Sequence, residues 1–161
     1  MNVKDILLLK YKDLQDDHII FYRAKTIRTS KSDLRPITVY LNDFTKSIIK
    51  KYGNKNRNKS SYIFDILSDD NSSAINHNKI KNFTKFINQN LKKLAIDEGI
   101  TTNISTYWAR HSFATNAIRN GATMEFVGEA FDHRNPNTTK RYFAGFTDKV
   151  KKEFQQKIMN F

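Results

Sequence analysis

The stretch WARHSFATNAIRNGATMEFVGEAFDHRNPNTTKRYF, residues 108–143, decides the fold because its own punctuation divides it into helices. Trp108, Ala109, Phe113, Ala117 and Ile118 recur at helical intervals, with Ser105 placed to cap them and Asn120-Gly121 to close them with residue types that tolerate a positive φ. Thr123 starts a second helix with Phe126, Val127 and Ala130 on one side. Asn135-Pro136 sets a cap residue before a proline at the first helical position and predicts a short helix carrying Tyr142.

Downstream, Thr147-Asp148 opens a last amphipathic helix with Val150, Phe154, Ile158 and Met159. Upstream, Ile80, Phe83, Phe86, Ile87, Leu91 and Leu94 predict a long helix up to Gly99, after polar loops over Asn54–Ser60 and Asp69–Asn76 that flank the apolar Tyr62-Ile63-Phe64. Asn42 caps a helix through Phe44, Ile48 and Ile49 that ends near Gly53. Before it lie two β-favouring runs, Ile19 to Tyr22 and Pro36 to Leu41, which read as a hairpin across a polar segment from Thr26 to Leu34. Val3, Ile6, Leu7 and Leu9 give the chain a helical start. The expectation is a mainly helical α+β fold, a single domain over residues 1–161, with a small antiparallel sheet near the amino-terminal end.

The chain has 161 residues, enough for one domain with a real core. Its 28 Lys+Arg against 16 Asp+Glu give a formal net charge of +12, which favours a polyanionic partner. It has no cysteine, which excludes disulfides and thiolate metal sites and suits the cytoplasm. No apolar run reaches membrane-span length, so no membrane partner is expected. The opening residues, with Lys4 and Asp5 beside Leu7 to Leu9, are unlike a signal peptide.

Cleaving a phosphodiester through a protein nucleophile needs an attacking oxygen, donors around the non-bridging oxygens and an acid for the leaving alcohol. Arg110 can fork two phosphate oxygens, and on a helix it shares a face with Tyr107 at the i, i+3 spacing. His133, between a helix and Asn135-Pro136, can present a ring N–H at a turn. Tyr142 is the candidate nucleophile, and its phenol, ordinarily of pKa about 10, needs a cationic site or a base. Lys25, where the first strand ends, can swing its ammonium to a leaving oxygen. Taken singly, each has an ordinary reading as an ion pair, a structural histidine, a packed ring or a solvated charge.

Together they resemble the catalytic domain of the tyrosine recombinases, the phage integrase family, over nearly the whole chain. Arg110-His111-Ser112-Phe113-Ala114-Thr115 resembles that family's second-arginine box, Phe131-Asp132-His133 its Leu-Gly-His box, and Thr138-Thr139-Lys140-Arg141-Tyr142 its nucleophile box. Arg23-Ala24-Lys25-Thr26 resembles the hairpin bearing its catalytic lysine. The resemblance implies attack by Tyr142 to give a 3′-phosphotyrosyl link and a free 5′-hydroxyl, with Lys25 as general acid and Arg110 with His133 stabilising charge. It implies duplex DNA as partner, no metal or nucleotide cofactor, a monomer in isolation and a tetramer on DNA.

Two positions depart from the pattern. Tyr107 stands where the family usually has histidine, three residues before the second arginine, and Asn2 stands at the arginine of the first-arginine box, with Asp5 at its acid. Asn2 supplies no charge, and losing one charge-assisted contact to a transition state costs on the order of 3 kcal/mol. Arg23, Arg28 and Arg141 are the candidate replacements. The family's separate DNA-gripping domain is expected to be absent from this chain, leaving an excised catalytic domain or a truncated product that binds DNA weakly and recombines poorly. The last helix either docks on a neighbouring protomer or packs on its own domain. The rival readings are a degenerate recombinase-like or helix-turn-helix-like DNA-binding module without catalysis, built on Ser105 to Phe131, and a basic RNA-binding or structural protein.

Overall fold

The structure, a computed structural model, describes residues 1–29 and 34–159, without the side chain of Arg28. Residues 30–33 of the expected polar segment and the Arg28 side chain thus lie outside the described residues. The chain forms two compact units, Met1–Tyr107 and Trp108–Phe161.

In the first unit, α1 (Val3–Leu8) leads through a 3₁₀ turn (Tyr11–Asp13) to strand β1 (His18–Phe21), then α2 (Ala24–Thr29), β2 (Ile37–Tyr40), α3 (Asp43–Tyr52) and the long α4 (Ser73–Asp97). The strands pair antiparallel, with His18 opposite Tyr40 and Phe21 opposite Ile37. Alternation puts Ile19 and Phe21 on the buried face, where they meet Leu9, Ile37 and Ile63. Ile63 is locked there by donating its N–H to the Leu9 carbonyl at 2.9 Å, which explains the isolated apolar triplet at 62–64.

Two expectations need correction. The connection between the strands carries α2, where only a polar segment was expected. The cap that starts this helix comes from a distance: the Ala24 N–H donates to Asp5 Oδ1 at 3.0 Å, satisfying a donor that a first turn otherwise leaves unpaired. Helix α4 begins at Ser73, inside the expected Asp69–Asn76 loop, because Ser72 Oγ accepts the Ile75 N–H at 3.3 Å.

The second unit holds α5 (Trp108–Arg119), α6 (Met124–Ala130), α7 (Pro136–Lys140) and α8 (Asp148–Met159). Gly121, at φ 95°, closes α5, Thr123 Oγ1 caps α6 by accepting the Phe126 N–H, and Asn135 with Pro136 starts α7, as the sequence predicts. The buried side of α5 is nevertheless Arg110, Ala114, Thr115 and Ile118, while Trp108 and Phe113 are largely exposed. A charged side chain is thus buried beside the unit's hydrophobic cluster of Ala114, Ile118, Val127, Phe131 and Tyr142, of which Phe131 and Tyr142 face the guanidinium. Phe154, Ile158 and Met159 of α8 remain exposed.

The architecture is the mainly helical α+β fold with a two-stranded antiparallel sheet. No helix among the described residues is long and apolar enough to cross a membrane.

Candidate active site

Three of the candidate residues meet in the second unit, each held by a different local device. Arg110 lies in the first turn of α5, buried, with its guanidinium carbon 3.8 Å from the centre of the Phe131 ring and 5.6 Å from that of Tyr142. A planar guanidinium stacks favourably on aromatic faces.

His133 is delivered by the end of α6. The Asp132 N–H donates to the Glu129 carbonyl at 2.9 Å and the His133 N–H to the Gly128 carbonyl at 2.8 Å, the paired bonds of a Schellman motif. Such an ending needs a left-handed residue at its pivot, and Asp132 takes it, at φ 54°. The imidazole is then fixed on a second side, with Nδ1 3.1 Å from Thr139 Oγ1.

Tyr142 sits in a turn just after α7, not on the helix expected to carry it, because α7 ends at Lys140. Its N–H donates to the Thr139 carbonyl at 2.9 Å. Thr115, one turn beyond Arg110 on α5, donates its hydroxyl to the Tyr142 carbonyl at 3.3 Å and accepts the Ala144 N–H at 3.2 Å. The phenol ring, 8% exposed, lies 4.9 Å from the ring of His111, 5.2 Å from His133 and 5.3 Å from Phe131, centre to centre. One guanidinium, two imidazoles and a phenol thus share one aromatic cluster, a set of groups able to surround a tetrahedral phosphate with donors and supply an attacking oxygen.

The other candidates lie in the first unit. Asn2 caps α1: its Oδ1 accepts the Asp5 N–H at 2.8 Å, while its own N–H donates to Asp5 Oδ2 at 3.4 Å. The Asp5 carboxylate, 3% exposed, therefore ties the Asn2 backbone to the start of α2, where Lys25 is the second residue, exposed and inside a helix where a strand end and flexible turn were expected. Tyr107 is exposed and lies in a turn before α5, its N–H donating to Ser105 Oγ at 3.3 Å; the expectation that it rides a helix with Arg110 does not hold. Arg23 is half-buried and Arg141 exposed.

Sequence reasoning passed over Thr115 and Thr139 and gave His111 no role. The threonines carry no signal beyond their place in the quoted boxes, since a hydroxyl's partner is set by folding.

Known proteins resemble this chain in sequence and in fold. The model of the phage integrase family matches residues 1–148. Tyrosine recombinase XerD of Oceanobacillus iheyensis is 40% identical over 52 residues, 32% of this chain and 18% of that protein. The crystal structure of XerA recombinase superposes on 99% of this chain with a TM-score of 0.61 at 17% identity, and the Tn1549 transposon integrase in complex with a circular intermediate DNA on 98% with 0.59 at 13%. The chain spans 54% of each of those two solved chains, and the likeness is one of fold.

Proposed function

The chain belongs to the phage integrase family, and from that premise we propose that residues 1–161 act as one catalytic domain of a tyrosine-type site-specific DNA recombinase or integrase of a mobile element. The reaction is cleavage and rejoining of duplex DNA. The Tyr142 oxygen attacks the scissile phosphorus, the 5′-oxygen leaves as a hydroxyl with a proton from Lys25, and the 3′-phosphate stays on the tyrosine. Arg110 and His133 neutralise the charge that builds on the non-bridging oxygens. Attack by another strand's 5′-hydroxyl reverses the step, so no metal, nucleotide or other cofactor enters.

The observation that supports this reading best is the gathering of Arg110, His133 and Tyr142 around Phe131 in one unit. The formal charge of +12 suits a DNA backbone. With a phenol at Tyr107, removal of the Tyr142 proton falls to another group, and His111 has its ring 4.9 Å from that of the nucleophile. We take the domain to be a monomer in isolation and a tetramer on DNA, working in the cytoplasm.

A second reading, a degenerate recombinase that binds DNA without cutting it, draws support from Asn2. Its carbonyl is committed to capping α1, and it brings no charge to the position of the first arginine. The two readings separate on a pool of nicked duplexes with randomised sequence at the nick. Cleavage traps a denaturant-resistant protein–DNA adduct that Tyr142→Phe abolishes. Duplex binding without any adduct would overturn the recombinase reading in favour of the second.

A further inference from the structure

Thr139 stands three residues before Tyr142, 1% exposed, and connects the two groups flanking it in the site. Its hydroxyl lies 3.1 Å from His133 Nδ1, and its carbonyl accepts the Tyr142 N–H at 2.9 Å. Gly128 makes the space, because a Cβ there would stand 3.2 Å from Thr139 Oγ1. The same glycine's carbonyl accepts the His133 N–H. These four residues form one hydrogen-bonded assembly within the unit.

The direction of the Thr139 bond follows from satisfiability. A buried hydroxyl has one proton to give, and leaving it without an acceptor is costly. Among the described residues this hydroxyl has one hydrogen-bond partner, His133 Nδ1. The hydroxyl therefore donates, Nδ1 accepts through its lone pair, and the proton of a neutral imidazole resides on Nε2.

We infer that Thr139 is a positioning residue that holds neutral His133 in the Nε2–H tautomer, so that the ring carries a donor for a phosphate oxygen without acquiring a second proton. The opposite tautomer would turn a lone pair toward that oxygen. The phosphate as recipient rests on the proposed function, whereas the tautomer does not.

Long-range proton–nitrogen NMR of the 161-residue chain reads the tautomer directly, and adduct formation on nicked duplex reads its use. In the unaltered chain His133 should show Nε2–H. Thr139→Val should give mixed tautomers and slow adduct formation about tenfold, the loss of one hydrogen bond's worth, and Thr139→Ser should restore both. An Nδ1–H tautomer in the unaltered chain overturns the inference, as does a folded Thr139→Val chain whose tautomer is unchanged. If Thr139→Val fails to fold, the tautomers of the unaltered chain and of Thr139→Ser decide the matter. An Nε2–H imidazole in a chain that forms no adduct supports the inference and counts against cleavage.

Discussion

The imidazole of His133 lies 5.2 Å from the phenol ring of Tyr142, centre to centre, with the two planes 29° apart. A proposed phosphate donor and a proposed nucleophile are thus packed on each other, and the tyrosine ring is a core side chain as well as a reagent. Its two roles separate by substitution. Tyr142→Phe keeps the ring and should change unfolding free energy by less than about 1 kcal/mol, whereas Tyr142→Ala, which empties a core position, should cost about 3–5 kcal/mol. Urea unfolding of the three chains measures the difference.

Asp132 holds the left-handed pivot of the turn that presents His133. A β-branched residue is poorly tolerated there, so Asp132→Val should lower stability by about 1–2 kcal/mol. The same change should move the His133 ring resonances, because the histidine's N–H is held by that turn. Thermal unfolding and a histidine-selective spectrum test both effects.

The helices of the second unit were legible because their ends are written locally: Thr123, Asn135-Pro136 and Gly121 each act within a few residues of themselves. The boxes single out Arg110, His133 and Tyr142, and the three side chains lie against Phe131. The features missed depend on partners far along the chain. Helix α2 is capped by Asp5 from 19 residues away, and the polar segment that hosts it has no local start signal. The buried face of α5 follows Arg110 because Phe131 supplies a ring to stack on, which periodicity of apolar residues cannot reveal. Where Tyr107 was expected on a helix, the chain turns before α5 begins.

Asn2 builds a capping box with Asp5 at the start of α1. Asn2→Ala should cost about 1 kcal/mol of stability through the lost cap. Asn2→Arg should pay the same penalty and yet raise the rate of covalent DNA capture, by up to about a hundredfold if the arginine completes a phosphate clamp. Paired unfolding and adduct-rate measurements distinguish a missing charge from a damaged helix.

At Asp69, both carboxylate oxygens accept from Lys10 Nζ at 2.8 Å, and these hydrogen bonds hold its pKa below the usual aspartate value. Because the folded value is depressed, the pair's contribution to stability is present above the unfolded pKa of about 3.9 and is lost as pH falls through the folded one. Carboxyl NMR should show Asp69 titrating below the ordinary range, and Lys10→Met should return it there.

A tyrosine nucleophile leaves its mark as a covalent bond between Tyr142 and DNA. The adduct formed on nicked duplex is digested with protease and nuclease, and mass spectrometry then locates the nucleotide remnant on the peptide. The expected remnant is a 3′-phosphate linked to Tyr142. A remnant on any of the other six tyrosines, a 5′-phosphate linkage, or bound duplex with no remnant would contradict it.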